Sequence, residues 1–526
     1  MRERESFAQS AFLLTVVGVF TQVVGFFYRM MLSRTVGAEN MGLYQLVMPV
    51  YGVLQSVAVS GLAVAVCNRT AAEAARQNNR GAARLLHTAL WLLFAVWAAL
   101  AAAVVLLAQP LADRVLGDGR TALALPCLLP CLLLTGVENL TKNYFYGFGE
   151  TRIPAAVELA EQVIRAAAVL GLLWMLMPLD GAHTVAVIVL GMGVSEVFSS
   201  LVLTLVRRAQ QRRLNPRPQQ TGEANGSPRR ALLRIALPVG FTALLGNLMG
   251  SVNAILVPQL LVLAGYTASG AMEAFGVVFG MTLPLLNLPF AFVNALSLSV
   301  LPRLTECCTL GRKAELNRYI ETALFSVSLL VLPLMALLVT LGGDVGALLF
   351  HDSRVGELLL PLSFGAALSA YEAVLGTVLN GVGRQKQGAA ISLFCGGVQL
   401  GCTLLLTGRL GFYAYALGTA VSSLLGFWLR VRVVVRQAGA EIRWFSVLTA
   451  PALSALLMGL TVNLLYRSLR GSGEGLWSAT LLAALVGCAL YLAALLAQGV
   501  NPLGLPAQDS HSLNAPHSSR QRKRSS

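Results

Sequence analysis

The chain is 526 residues long, 56% hydrophobic and only 12% charged, with 39 Lys and Arg against 24 Asp and Glu. Soluble domains carry roughly 25% charged residues, so this composition excludes a soluble enzyme, a disordered chain and a secreted disulfide scaffold. The apolar residues run in solid blocks instead of alternating, which excludes an outer-membrane barrel and leaves an all-α polytopic membrane protein.

From the amino terminus, Met-Arg-Glu-Arg-Glu runs into an apolar block with no small-residue cleavage site, as a retained anchor does. A window of about 19 residues then finds fourteen spans. Six precede a polar stretch: Ala11–Ser33, Leu43–Val66, Leu85–Ala108, Thr121–Leu140, Ala155–Met177 and Thr184–Val206. Six follow it: Leu232–Val257, Ala274–Leu301, Tyr319–Leu341, Leu358–Leu379, Ala389–Leu406 and Tyr413–Val435. Phe445–Leu465 and Leu476–Ala497 close the series.

The polar stretch, RRAQQRRLNPRPQQTGEANGSPRR, reads as a flexible linker at 207–231. The expected units are an N-lobe at 1–206, a C-lobe at 232–435, a helix pair at 436–497 and a disordered cytoplasmic tail at 498–526. With both termini inside, inner segments hold 30 Lys and Arg and outer loops 7, while Arg29 and Arg165 fall within spans. That bias predicts cytoplasmic termini. It also explains the net charge of +15 as topology and attraction to anionic lipid, with no nucleic acid required. The eight cysteines are scattered, with Cys307 and Cys308 in a basic loop, and none has zinc-ligand spacing, so no metal site is expected.

The two sides of the linker repeat with a constant offset of 234 residues. Arg69 matches Arg303, Arg84 matches Arg318, Glu138 matches Glu372, and Gly147-Phe148-Gly149 matches Gly381-Val382-Gly383. Equivalent spans run in the same direction, so this is a parallel six-plus-six repeat about an axis along the membrane normal, followed by a C-terminal helix pair. Two similar lobes joined by a loop are what alternating access requires, and a transporter is the leading class.

Ionisable groups at bilayer depth cost roughly 2.5–3.5 kcal/mol each and therefore face a partner or a cavity. Arg29 and Arg34, in GFFYRMMLSR, lie near the outer end of the first span. Arg34 reads first as snorkelling to headgroups. Arg29 either snorkels or lines a cavity open to an anionic cargo, whose phosphates suit a guanidinium fork.

In VELAEQVIR, Glu161 and Arg165 are an i,i+4 pair beside Glu158. They form either a self-neutralised structural pair or a charged cavity wall with Arg165 on a diphosphate. Glu196, single in the sixth span, either pairs with Arg165 or holds a coupling proton. Glu138 and Glu372 share a repeat position near the cytoplasmic ends of their spans, which points to gating as much as to interface exposure. The Gly-x-Gly segments follow no strand and read as tight helix hairpins. Outer loops are short and no catalytic constellation emerges, so no enzyme is expected.

The stretches GFFYRMMLSRTVGAENMGLYQLVMPVY, YGFGETRIPA with ELAEQVIR, and NGVGRQK together resemble the stage V sporulation protein B family. That family belongs to an oligosaccharide-flippase branch with the lipid II flippases and, more distantly, the multidrug and toxin extrusion antiporters. The resemblance implies two six-helix lobes around a central cavity in a bacterial cytoplasmic membrane. It also implies a terminal helix pair bordering a lipid-tail groove. The implied cargo is an undecaprenyl-diphosphate-linked saccharide for peptidoglycan, another polysaccharide or sporulation, with cell-wall synthesis machinery as a partner.

On that pattern Arg29, Arg34 and Arg165 contact the diphosphate. Glu138, Glu161, Glu196 and Glu372 serve gating or ion coupling, to Na+, H+ or the membrane potential, with no other cofactor. Gln22 stands where relatives often carry an arginine. The alternatives are a cation-coupled drug antiporter, a membrane glycan polymerase, against which the short outer loops count, and a non-transporting scaffold.

Overall fold

The computed structural model describes residues 7–213, 228–439 and 442–501, and every regular element among them is helical. That is the outcome hydrocarbon enforces, because each helix satisfies its own backbone polar groups. The linker segment 214–227 and the tail from 502 lie outside the described residues.

Among the described residues, thirteen helices are long and apolar enough to cross a membrane. The first of them, Val16–Ala75, has 60 residues. At 1.5 Å per residue it is ~90 Å long, against a hydrocarbon core of ~30 Å. It holds the first two expected spans, which accounts for fourteen. Helix α1 (Phe7–Gln55) is broken at Gly37, whose φ of 78° and ψ of 172° lie outside the helical region and need a residue without a β-carbon. Two spans thus meet with no polar loop between them, and the second limb continues through a π-helical turn, Ser56–Ser60, into α2 (Gly61–Ala75).

The first repeat is completed by α3 (Asn79–Pro110), α4 (Ala124–Gly147), α5 (Arg152–Leu176) and α6 (Gly181–Arg213). After the linker come α7 (Pro228–Leu263), α8 (Ala268–Phe275), α9 (Leu283–Leu286), α10 (Phe290–Thr309), α11 (Lys313–Phe350), α12 (Arg354–Gly381), α13 (Gln385–Leu410) and α14 (Tyr413–Ala438). The expected single span Ala274–Leu301 is interrupted. A π-helical turn, Gly276–Thr282, separates α8 from α9, and Pro289, which has no N–H to donate, stands at the start of α10. Cys307 and Cys308, expected in a loop, lie inside α10.

The repeat survives into three dimensions. Helix α3 with its π-helical extension covers 79–116 and α11 covers 313–350, the same offset at both ends. Gly149 and Gly383 both sit at φ 76°, and Gly117 and His351 are both left-handed at 78° and 58°. A β-carbon on Gly147 would meet the Cys67 carbonyl, and one on Gly381 would face the equivalent Leu301 carbonyl.

In the first repeat α4 packs on α2, α3 and α6, and α5 packs on α6 and α1; in the second, α12 packs on α10, α11 and α14. The two groups meet where α1 and α2 lie against α7, α8 and the Gly276–Thr282 turn. Helices α15 (Ala450–Gly471) and α16 (Leu476–Ala497) pair with each other and lean on α11. Polar ties hold them there: Arg443 to Glu321 at 3.0 Å, Tyr466 donating to Asp344 at 2.6 Å, and Tyr491 donating to the Ser328 carbonyl at 3.2 Å.

Candidate functional site

The 3.6-residue period places Glu138 and Lys142 on one face of α4, and Glu158, Glu161 and Arg165 on one face of α5. Because α4 and α5 both pack against α6, these faces converge on Ser195 and Glu196. Glu161 is nine residues into α5, roughly 13 Å from its linker-side end, and is buried.

The ammonium of Lys142 touches Glu138 and lies 3.6 Å from Glu161 and 4.0 Å from Glu158. Arg165 binds Glu161 through the same Nη2 that reaches Glu196 at 2.9 Å, and its Nε donates to the Ser195 hydroxyl at 3.2 Å. Ser195 in turn donates to the Met192 carbonyl at 2.7 Å, which fixes its lone pairs toward Arg165. Glu138, Glu161 and Glu196 are all buried, and one carboxylate oxygen from each lies within 4.8 Å of the others. Oε2 of Glu196 is buried without a hydrogen-bond partner.

Three buried carboxylates and the half-buried Glu158 thus share two cations. An uncompensated charge in a medium of low dielectric is strongly unfavourable. The centre has the chemistry to take one more positive charge, either a proton shared between carboxylates or a hard cation matched to an all-oxygen donor set. Sequence reasoning assigned no metal ligands, yet three of its four candidate glutamates meet here. It also missed Lys142, because hydropathy falls at Leu140 and the lysine was counted with the following loop. Helix α4 continues to Gly147, as its repeat equivalent α12 continues to Gly381. The usable signal was the i,i+4 spacing from Glu138.

Glu372 belongs to a different pair. Its carboxylate is 2.8 Å from Arg430 of α14, which also donates to Ser392 at 2.8 Å. Among the cationic candidates, Arg29 is exposed. Its guanidinium and that of Arg165 are both within electrostatic reach of the hydroxyls of Tyr28 and Tyr44, two buried tyrosines. Arg34 points elsewhere. Its Nε donates to the Leu349 carbonyl at 2.6 Å and its Nη2 to the Leu348 carbonyl, at the end of α11.

The profile of a family described as polysaccharide biosynthesis protein matches residues 7–305. The chain is 23% identical over 304 residues to stage V sporulation protein B of Bacillus subtilis (strain 168), a match covering 58% of this chain and 59% of that protein, less than two thirds of its length. It is 22% identical over 457 residues to the lipid II flippase of the same strain, covering 82% of this chain and 83% of that one. A solved lipid II flippase in an inward closed conformation shares the fold, with a TM-score of 0.66 at 12% identity, over 92% of this chain and 98% of that chain.

Proposed function

Because the chain belongs to the polysaccharide biosynthesis protein family, we propose that it is a flippase moving an undecaprenyl-diphosphate-linked saccharide across the bacterial cytoplasmic membrane by alternating access. The lobes 1–206 and 232–435 rock about the central cavity, the linker and both termini lie in the cytoplasm, and the cargo supplies a cell-wall or related polysaccharide. The observation that carries this reading is the position of Arg165. It binds Glu161 and Glu196 and lies, like Arg29, within electrostatic reach of the buried Tyr28 and Tyr44.

This position gives the site a coupling mechanism. When a proton or hard cation neutralises the glutamates, Arg165 loses its counter-charges and becomes available, with Arg29, to the diphosphate. Cation and cargo then favour each other's binding, and by linkage the effect is reciprocal. Catalysis has no part in this scheme. A second reading, a cation-coupled antiporter, is favoured by the acidic centre in the first repeat. It differs in sign, because there cation and cargo compete.

The test is rescue of a bacterium depleted of its own lipid II flippase, with membrane insertion checked by blot. Rescue by the wild type and its loss in Arg29→Ala and Arg165→Ala support the proposal. Full rescue by both variants refutes the cationic cavity. No rescue by well-inserted wild type removes the peptidoglycan precursor as cargo.

A further inference from the structure

We infer that the membrane face opposite the linker is closed by a gate with internal two-fold symmetry. Two reciprocal side-chain latches hold it shut, Arg34 on α11 and Gln259 on α3. The inference rests on the alternating-access reading above and adds to it which face is shut and which residues keep it so.

At the centre of the gate the second limb of α1 meets α8 and the turn after it, backbone to backbone. A β-carbon on Gly42 would lie 2.1 Å from the Met272 carbonyl oxygen, and one on Gly276 would lie 1.9 Å from the Ala38 carbonyl oxygen. These residues form two pairs separated by the repeat offset, Gly42 with Gly276 and Ala38 with Met272. The contact is therefore its own mirror across the pseudo-two-fold axis.

The carbonyls that accept the latches obey the same relation, although the donors do not, since the repeat equivalents of Arg34 and Gln259 are Ala268 and Gly25. Gln259 of α7 donates to the Val115 carbonyl, and Arg34 of α1 donates to the Leu349 carbonyl. Val115 and Leu349 are again separated by 234 residues, in the last turns of the equivalent segments 79–116 and 313–350. Each segment therefore has its C-terminal end capped by the opening helix of the other repeat. The terminal carbonyls of a helix have no intrahelical partner and carry the negative end of its dipole. The forked cation of Arg34, spanning two carbonyls, is therefore the stronger latch, and neutral Gln259, on one carbonyl, the weaker.

Each gate helix is also bound to its own repeat. Arg120 joins Glu39 and Asp118 at 2.7 Å each, and Arg354 joins Glu273 at 2.8 Å and Asp352 at 2.6 Å, every member displaced by the same offset. The gate therefore parts as two preassembled halves. Further from the gate, along the middle and linker-side half of α7, the contacts lack this symmetry. Gly61 packs on the Ala236 carbonyl and Asn247 donates to Ser56 at 2.5 Å, but the repeat equivalents of Gly61 and Ser56 are Ala295 and Phe290, with neither a missing β-carbon nor a hydroxyl.

The experiment places one cysteine at Met272, buried within the gate itself, in the full-length chain with its native cysteines replaced. The protein is held in lipid nanodiscs and labelled with a charged maleimide. Arg34→Ala should raise the labelling rate on the order of tenfold, about 1.4 kcal/mol in the gate equilibrium, and Gln259→Ala should raise it by less. Gln259→Arg, which puts a cation on the α3 carbonyls, should lower the rate below wild type, a direction that misfolding cannot produce.

Unchanged rates in all three variants overturn the latch. No cargo is present in the assay. A chain that shows this series but fails to rescue the depleted bacterium loses the cargo reading and keeps the gate; the converse result does the opposite.

Discussion

Glu196 and Arg430 occupy the same register position of the two repeats and carry opposite charge. Their neighbours follow the register: Glu196 meets the cluster of Glu138, while Arg430 pairs with Glu372, the repeat equivalent of Glu138. The second repeat thus holds its compensating cation covalently, as a guanidinium, where the first repeat is short of one. On the coupling proposed above, an exchangeable cation would belong to the first repeat, where the second carries the arginine.

Glu161→Gln and Glu196→Gln remove one charge each with little change of shape. Transport in proteoliposomes is expected to lose its response to the Na+ or proton gradient in both, with the cation's effect on apparent cargo affinity, roughly 5–150-fold for coupled sites, abolished. Glu372→Gln should leave the gradient response intact. An equal response in all three would remove the asymmetry.

The Glu372–Arg430 pair is buried, so deleting one partner strands the other. Arg430→Ala is expected to destabilise the fold by about 3–5 kcal/mol, whereas the double variant Glu372→Gln with Arg430→Gln should recover most of that loss. Thermal unfolding in detergent measures both, and a double variant as unstable as the single one would contradict the pairing.

Gly42→Ala and Gly276→Ala each push a methyl group into a carbonyl of the other repeat. Overpacking of this kind costs about 1–3 kcal/mol, and the two variants should impair transport to a similar degree because their contacts are equivalent. Gly52→Ala, whose β-carbon meets nothing within 4 Å, is the neutral control.

The triads around Arg120 and Arg354 are half-exposed. Arg120→Ala and Arg354→Ala should therefore each cost no more than about 1 kcal/mol. That cost should shrink as salt is added. Melting curves at low and high ionic strength check this, and a large salt-independent loss would show that the triads are buried in the membrane-embedded protein.

The sequence alone was enough for the all-helical class, the fourteen spans and the parallel repeat. Each rests on local apolar runs or on charged and glycine residues that recur at one offset, and a lipid solvent leaves such patterns little alternative. It also singled out Glu138, Glu161, Glu196 and Arg165, because a charge at bilayer depth needs a reason. Only the tertiary structure decided which of them meet. Glu372 carries the same repeat signature as Glu138 yet pairs with Arg430, since the partner comes from another helix whose rotation no window can read.

Lys142 was hidden for a related reason: hydropathy ends at Leu140, while α4 runs on to Gly147 and packing brings the lysine to Glu138 and Glu161. The sequence puts a boundary between Ser33 and Leu43, and the chain makes it at Gly37 with a single φ of 78° and no loop. Arg34 reads in sequence as a cation for headgroups or phosphate, but its partners are backbone carbonyls more than three hundred residues away. Carbonyls are present at every residue and leave no mark in a sequence. Only the packing of one repeat against the other shows which of them lie within reach.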